Sequence, residues 1–266
     1  LVATTQTFAA RLASVVAGTR SMLCLGLDPD GVTDAAAAER QCLQLLEETL
    51  DSVCAVKPNL AFFEQFGSAG YAVLERLRAA VPGDRLLILD GKRGDMANTS
   101  AAYARALFDV LGADAITVNP LQGGDAVAPF LQRPGRGVFI LARTSNPGAA
   151  DFLEAAGGPE GVALYVRIVT QAQTWDRSGG AIGFVVGATA PHAVADVRRL
   201  APHAPLLLPG VGAQGGSLEE TVAAALNDHG AGAIVAVSRG IAAAPQGAAT
   251  AAREYRDRIT AVRAGH

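Results

Sequence analysis

Short runs of branched aliphatic residues recur along this chain at intervals of roughly 25 to 30 residues, each followed by a segment with helical patterning. The runs lie at 21–27, 52–57, 85–90, 113–119, 137–143, 181–187, 205–209 and 233–238, and the helical segments at 39–50, 60–80, 98–111, 126–131, 162–175, 191–200, 218–229 and 247–262. Strands that read as near-continuous apolar runs belong to parallel sheets covered on both faces. Eight alternating β and α units of this length make an α/β fold of the (β/α)8 TIM-barrel type the economical closure. A doubly wound open sheet would normally use fewer strands and would leave two edges. The 266 residues match one such barrel. No low-complexity linker interrupts the chain, so a single domain over 1–266 is expected. The span 143–161, rich in Gly, Pro and Ala, reads as an enlarged loop after the fifth strand. Residues 1–20 read as a short amphipathic helix led by Phe8, Leu12 and Val15.

Half of the residues are apolar and 5% are aromatic, which suits a large core of Val, Ile, Leu and Ala. A formal net charge of -3 provides no broad basic surface for nucleic acid, so any anionic ligand must be held by local groups. Cys24, Cys42 and Cys54 are odd in number and lie in apolar segments, without the spacing of a disulfide framework or a zinc knuckle. A reducing compartment follows. Neither a signal peptide nor an apolar stretch long enough to span a bilayer is evident, and no membrane partner is expected. The lack of Met at position 1 points to truncation or processing, and the cytoplasm is the default location.

Sites in (β/α)8 barrels sit at the C-terminal ends of the strands. The polar residues at those ends are therefore the candidates: Asp28 after the first strand, Lys57 ending the second, Asp90 and Lys92 ending the third, Ser145 after the fifth, Gln214 after the seventh and Arg239 after the eighth. Bland readings compete. Asp28, in Leu-Asp-Pro-Asp, also suits a turn, and a lone Lys57 before Pro58 also suits a solvated strand end. Asp95 also suits an N-cap for a helix begun near Asn98 or Thr99. Asp90 and Lys92 resist such a reading, because side chains at i and i+2 of a strand share one face and buried charges need partners.

Lys57 and Lys92 alternating with Asp90 and Asp95 would make a nearly neutral chain, in which opposite charges 4 Å apart attract by about 4 kcal/mol at a moderate effective dielectric. Such an array holds its ammonium groups rigid and protonated, and suits a reaction that develops negative charge at carbon. A second constellation suits an anion. The loop 209–216, Pro-Gly-Val-Gly-Ala-Gln-Gly-Gly, precedes a helix, and Ser238-Arg239-Gly240 ends the last strand. Loops after strands seven and eight of a barrel commonly bind phosphate through backbone N–H groups, with Arg239 here as the fixed charge. The same loop has enough glycine to close as a lid.

Taken in order, these residues resemble orotidine 5'-phosphate decarboxylase over essentially the whole chain. The resemblance rests on D-x-K-x-x-D as Asp90, Lys92 and Asp95, on Lys57 in Val-Lys-Pro-Asn, on Asp28, on the run from Pro209 to Gln214 and on Arg239. The Lys-Arg-Gly-Asp form and the long loop are similar to the longer bacterial (type 2) subclass. The resemblance implies a (β/α)8 barrel that converts orotidine 5'-phosphate to UMP and CO2 in pyrimidine synthesis, with no metal and no cofactor. It implies Lys92 as proton donor to C6 of the pyrimidine, with Asp90 crowding the leaving carboxylate and holding Lys92. Lys57 and Asp28 would hold the ribose hydroxyls, Ser145 would read the pyrimidine amide, and Gln214 would bridge base and phosphate. Pro209 would line the substrate site, and Arg239 and Gly240 would grip the phosphate. Asp95 and Thr99 would reach into a neighbouring subunit's site, which implies a homodimer.

Gly91 departs from the family pattern, which usually carries a side chain between the Asp and the Lys. Its backbone freedom bears on the rigidity of the pair. His192, His203, His229 and His266 are scattered and form no metal cluster in the sequence. Two rivals remain at this point. One is a Mg2+-dependent sugar-phosphate decarboxylase or synthase of the same superfamily, in which a Glu typically ends the second strand where this chain has Lys57. The other is a catalytically silent phosphate-binding barrel.

Overall fold

The computed structural model describes residues 6–158, 161–176, 181–212 and 214–266. The first five residues of the expected N-terminal helix, residues 159–160 of the enlarged loop and residue 213 of the glycine-rich loop lie outside these. Eight parallel strands close into a barrel: β1 (Leu23–Leu27), β2 (Ala55–Pro58), β3 (Leu86–Arg93), β4 (Ala115–Val118), β5 (Gly137–Arg143), β6 (Ile182–Val186), β7 (Leu206–Pro209) and β8 (Ala233–Val237). Consecutive strands are neighbours, and β8 closes the ring on β1 with Leu23 opposite Val235. Helices between the strands cover the outside, and the strands are buried nearly throughout. The fold is a (β/α)8 TIM barrel, as the strand and helix periodicity implies.

The helices differ from the sequence expectation at their ends, for local reasons. The second helix begins at Ala35, not at residue 39, because the Asp34 side chain caps it by accepting from the Ala37 N–H. The segment 60–80 divides into Ala61–Glu64 and Ser68–Ala80, since Gly67 at φ 58° breaks the helical path between them. Helix Ala97–Ala104 continues as a π-helical turn over Arg105–Val110. The enlarged loop after β5 has structure of its own. It carries a short helix, Ala149–Phe152, and a two-stranded antiparallel ribbon that pairs Ala156 with Ala163 and Gly157 with Val162.

The bottom of the barrel is shut by the N-terminal helix, Phe8–Thr19. Its buried face is Phe8, Leu12 and Val16, with Val15 only half-buried beside it. Phe8 meets Phe139 of β5 edge to face, with ring centroids 5.8 Å apart. The helix is pinned by Asp114, which is buried before β4. One carboxylate oxygen of Asp114 takes Arg11 at 2.8 Å and Arg136 at 3.1 Å, and the other takes Arg78 at 3.2 Å and the Leu87 N–H at 2.8 Å. One side chain thus ties the first helix, the helix before β3, the turn into β5 and β3 itself. Arg198 plays a related part near β7 and β8, where its buried guanidinium donates to the carbonyls of Ala201, Pro202, Ala204, Ala225 and Gly232.

Removing Asp114 leaves three guanidinium groups without their shared acceptor at a buried site. Asp114→Ala is expected to lower the unfolding free energy by about 3 kcal/mol, measured by urea denaturation. A loss below about 1 kcal/mol would mean that the pairs count only as surface ion pairs do.

Candidate active site

The C-terminal mouth of the barrel gathers the polar residues of the strand ends. A cavity of about 360 Å³ opens there, lined by Asp28, Lys57, Pro209, Gln214, Arg239 and Gly240 together with Asp30, Asn59, Phe62 and Ser238. An adjoining hollow is formed by Arg143, Ser145, Asn146, Pro147, Thr189 and Gln214. Gln214 belongs to both.

The charged centre is built on the ends of β2, β3 and β4. Asp90 is buried, and its carboxylate accepts from Lys57 Nζ through Oδ2 at 2.8 Å and from Lys92 Nζ through Oδ1 at 2.8 Å. The Thr117 hydroxyl on β4 donates to the same Oδ1 at 2.9 Å. Burial alone would push the Asp90 carboxyl up, but the two ammonium groups and their hydrogen bonds overcome this and hold it well below the usual carboxylate range. For Lys57, burial works against the charge, and Asp90 with Asp28 prevails and holds the ammonium above the ordinary lysine range. Lys57 is almost wholly buried, whereas the Lys92 side chain keeps 47% of its surface open at the mouth.

Lys92 reaches Asp90 by a route that strand alternation does not describe. The pairing of β3 with β4 slips between Leu89 and Arg93, so β3 covers that whole span while β4 advances only from Ile116 to Val118. Within the slip Lys92 adopts φ 47°, a left-handed conformation uncommon for any residue but glycine. Gly91 is not the residue that bends. Its place is packing, because a Cβ there would stand 2.7 Å from Leu60 Cδ1.

Asp95 stands outside the array within this subunit. Its carboxylate accepts from the Met96 N–H at 2.6 Å, and its own N–H and carbonyl bond the Ser100 hydroxyl. The charged chain described here therefore has three members, Lys57, Asp90 and Lys92, and not four. Asp95 is no N-cap either: helix Ala97–Ala104 starts after Met96 without a side-chain cap, and Thr99 lies half-buried in its first turn.

Asp28 carries a signature of its own. Its Oδ1 is buried and has no hydrogen-bond partner among the described residues, although it lines the cavity beside Lys57. Ser145 and Gln214 converge over Gly210, which sits at φ 96°. A Cβ at Gly210 would lie 2.7 Å from Gln214 Oε1 and 2.8 Å from Ser145 Cβ, so only glycine lets the two side chains meet there. Arg239 opens a short helical turn, Arg239–Ala242, directly after β8, with its side chain exposed to the cavity.

Two features of the site escaped the sequence reading. Thr117 was hidden in the apolar run of β4, although a hydroxyl two residues from Ala115 on the same face was the available signal. The other is a tether on the enlarged loop. Arg143 is buried at the end of β5 and holds Glu154 by Nε at 2.9 Å and Nη2 at 2.6 Å, while its Nη1 donates to Thr189, whose hydroxyl donates to the Ser145 carbonyl at 3.1 Å. A residue far along the loop thereby fixes the backbone of Ser145.

Comparison with known proteins points in one direction. The family model described as orotidine 5'-phosphate decarboxylase / HUMPS matches residues 21–255. An orotidine 5'-phosphate decarboxylase from Thermomicrobium roseum is 45% identical over 96% of this chain and 96% of its own length. One from Roseiflexus castenholzii is 47% identical over 91% and 93%. Among solved structures, the UMP synthase of Leishmania donovani superposes with a TM-score of 0.91 at 43% identity, covering 97% of this chain, which spans 57% of that longer one.

The lowered pKa of Asp90 has a consequence for stability. A carboxyl held below its unfolded value stabilises the fold above the ordinary range near pH 4, and that contribution disappears as the pH falls through the folded value. Lys57→Met removes one of the two ammonium groups, so the acid-unfolding midpoint should move to higher pH than in a remote variant of matched neutral-pH stability. Circular dichroism against pH measures it, and an unmoved midpoint would show that Asp90 draws nothing from Lys57.

Proposed function

The chain belongs to the orotidine 5'-phosphate decarboxylase / HUMPS family, and from that membership and its charged centre we infer that it converts orotidine 5'-phosphate to UMP and CO2 in pyrimidine biosynthesis. The observation that carries this reading is the Asp90 carboxylate clasped between two lysine ammonium groups at the mouth of the barrel. The substrate carboxylate at C6 lies beside Asp90. The bond from C6 to that carboxylate breaks, CO2 leaves, and the electron pair stays at C6. The Lys92 ammonium, fixed on Asp90, stabilises the developing carbanion and passes a proton to C6, then regains one from solvent. The two fixed charges are in place before the reaction, so the site does not reorganise as charge develops.

The remaining roles follow the chemistry of the cavity. Asp28 and Lys57 hold the ribose hydroxyls, and the unpartnered Oδ1 of Asp28 is suited to accept one of them. Ser145 reads the pyrimidine amide, and Gln214 bridges base and phosphate. Pro209 lines the substrate cavity, and Arg239 with the Gly240 N–H takes the phosphate. The reaction proceeds without metal or cofactor: Lys57 places a cation where a divalent ion would want a carboxylate. Asp95 and Thr99 complete the site of a second copy in a homodimer. The exposed apolar side chains of Met96 and Leu121, next to these residues and to the end of β4, suit such a contact. The protein works in the cytoplasm; among the described residues no helix is long and apolar enough to cross a membrane.

Orotidine 5'-phosphate mixed with the protein in excess EDTA should lose its orotate chromophore, and Lys92→Ala should abolish that loss while remaining a folded dimer. Turnover restored only by Mg2+, or turnover retained by Lys92→Ala, would overturn the cofactor-free route or the proton donor respectively. Arg239→Ala should raise KM strongly. Added phosphite should accelerate decarboxylation of the phosphate-free nucleoside in the unaltered enzyme, and a null result there would remove the phosphate from the driving force.

A further inference from the structure

Thr117 is the last but one residue of β4, 1% exposed, with its backbone paired to Phe139 of β5. Its hydroxyl makes two contacts. It is 2.9 Å from Asp90 Oδ1 and 2.9 Å from the backbone nitrogen of Lys92. The direction of both bonds follows from chemistry. A backbone N–H only donates and an ionised carboxylate only accepts, so the single hydroxyl hydrogen goes to Asp90 and an oxygen lone pair receives Lys92.

The second bond exists because of the slip in β3. The regular ladder between β3 and β4 is interrupted between Leu89 and Arg93, and there the Lys92 N–H finds its acceptor in the Thr117 side chain. Thr117 thus holds Lys92 at its backbone and also holds the carboxylate on which the Lys92 ammonium rests. The left-handed backbone at Lys92 and the position of its ammonium share one external anchor. A β-branched side chain suits this task, since it is stiff about its first torsion.

We propose that Thr117 is a positioning residue for the proton transfer, fixing Lys92 and Asp90 relative to one another by a hydroxyl bridge. The inference rests on the reading of Lys92 as the proton donor. Thr117→Val keeps the volume and the branch but removes both bonds, whereas Thr117→Ser keeps the bridge. In Thr117→Val, kcat should fall by about 10- to 100-fold, while KM and the affinity for UMP stay within about threefold. Thr117→Ser should return kcat to within about threefold of the unaltered enzyme.

Three results would overturn the proposal: an unaltered kcat in Thr117→Val, an equal loss in Thr117→Ser, or a rise in KM with kcat preserved. Thermal unfolding of each variant verifies the fold, and if Thr117→Val does not fold, Thr117→Ala set against Thr117→Ser gives the same comparison. Lys92→Ala separates the two levels. Should it stay active, the donor assignment itself fails; should it be inactive while Thr117→Val is unaltered, only the role of Thr117 fails.

Discussion

A carboxylate buried in the C-terminal half of β3 imposes the main constraint on this molecule. Taking Asp90 out of water is costly unless cations and donors replace the lost hydration. The barrel supplies Lys57 from β2, Lys92 from β3 and the Thr117 hydroxyl from β4, so three adjacent strands must hold their ends in register for one charge to be tolerated. The pairing is reciprocal. Lys57 is more deeply buried than Asp90, and it keeps its proton because that carboxylate and Asp28 face it. Removal of Asp90 leaves the buried Lys57 facing Asp28 alone, and removal of Lys57 leaves Asp90 with one ammonium and the Thr117 hydroxyl, so neither half can change alone without cost.

The architecture separates that burden from overall stability. At the opposite end, Asp114 collects three arginines and a backbone N–H, and Phe8 seals the core against Phe139. Arg198 donates to carbonyls of the turns that lead into β7 and β8 and so ties the two together. These clusters hold the strands from below, and the mouth is free to carry strained or unpaired groups such as the left-handed Lys92 and the open oxygen of Asp28.

Much of this was legible in the sequence, and the exceptions have physical causes. Apolar runs locate all eight strands because a parallel sheet covered on both faces leaves that imprint regardless of its neighbours. Helix starts are less legible: Ala35–Ala38 has no polar alternation, and only the Asp34 cap marks where the helix begins. The expectation that Asp90 and Lys92 approach each other is matched by their ion pair, but the reason differs, since a slip in the ladder and not plain alternation brings them together. Suspicion of Gly91 fell one residue short of the bend. Asp95 could not be placed from sequence, because its backbone bonds depend on Ser100 in the next turn. Thr117, Arg143 and Asp114 act through partners on distant segments, and only tertiary structure reveals those.

The ion pair between Arg143 and Glu154 divides the enlarged loop into two territories. Between the pair, the chain that carries Ser145 is closed into a short ring, fixed at both ends and braced through Thr189. Beyond Glu154 lies the small ribbon that pairs Ala156 with Ala163, which has no part in that ring. A change in loop length past Glu154 therefore leaves the ring that holds the Ser145 backbone closed. Residues gained or lost past Glu154 would add little entropic cost, because the Arg143–Glu154 pair that closes the ring lies wholly before them.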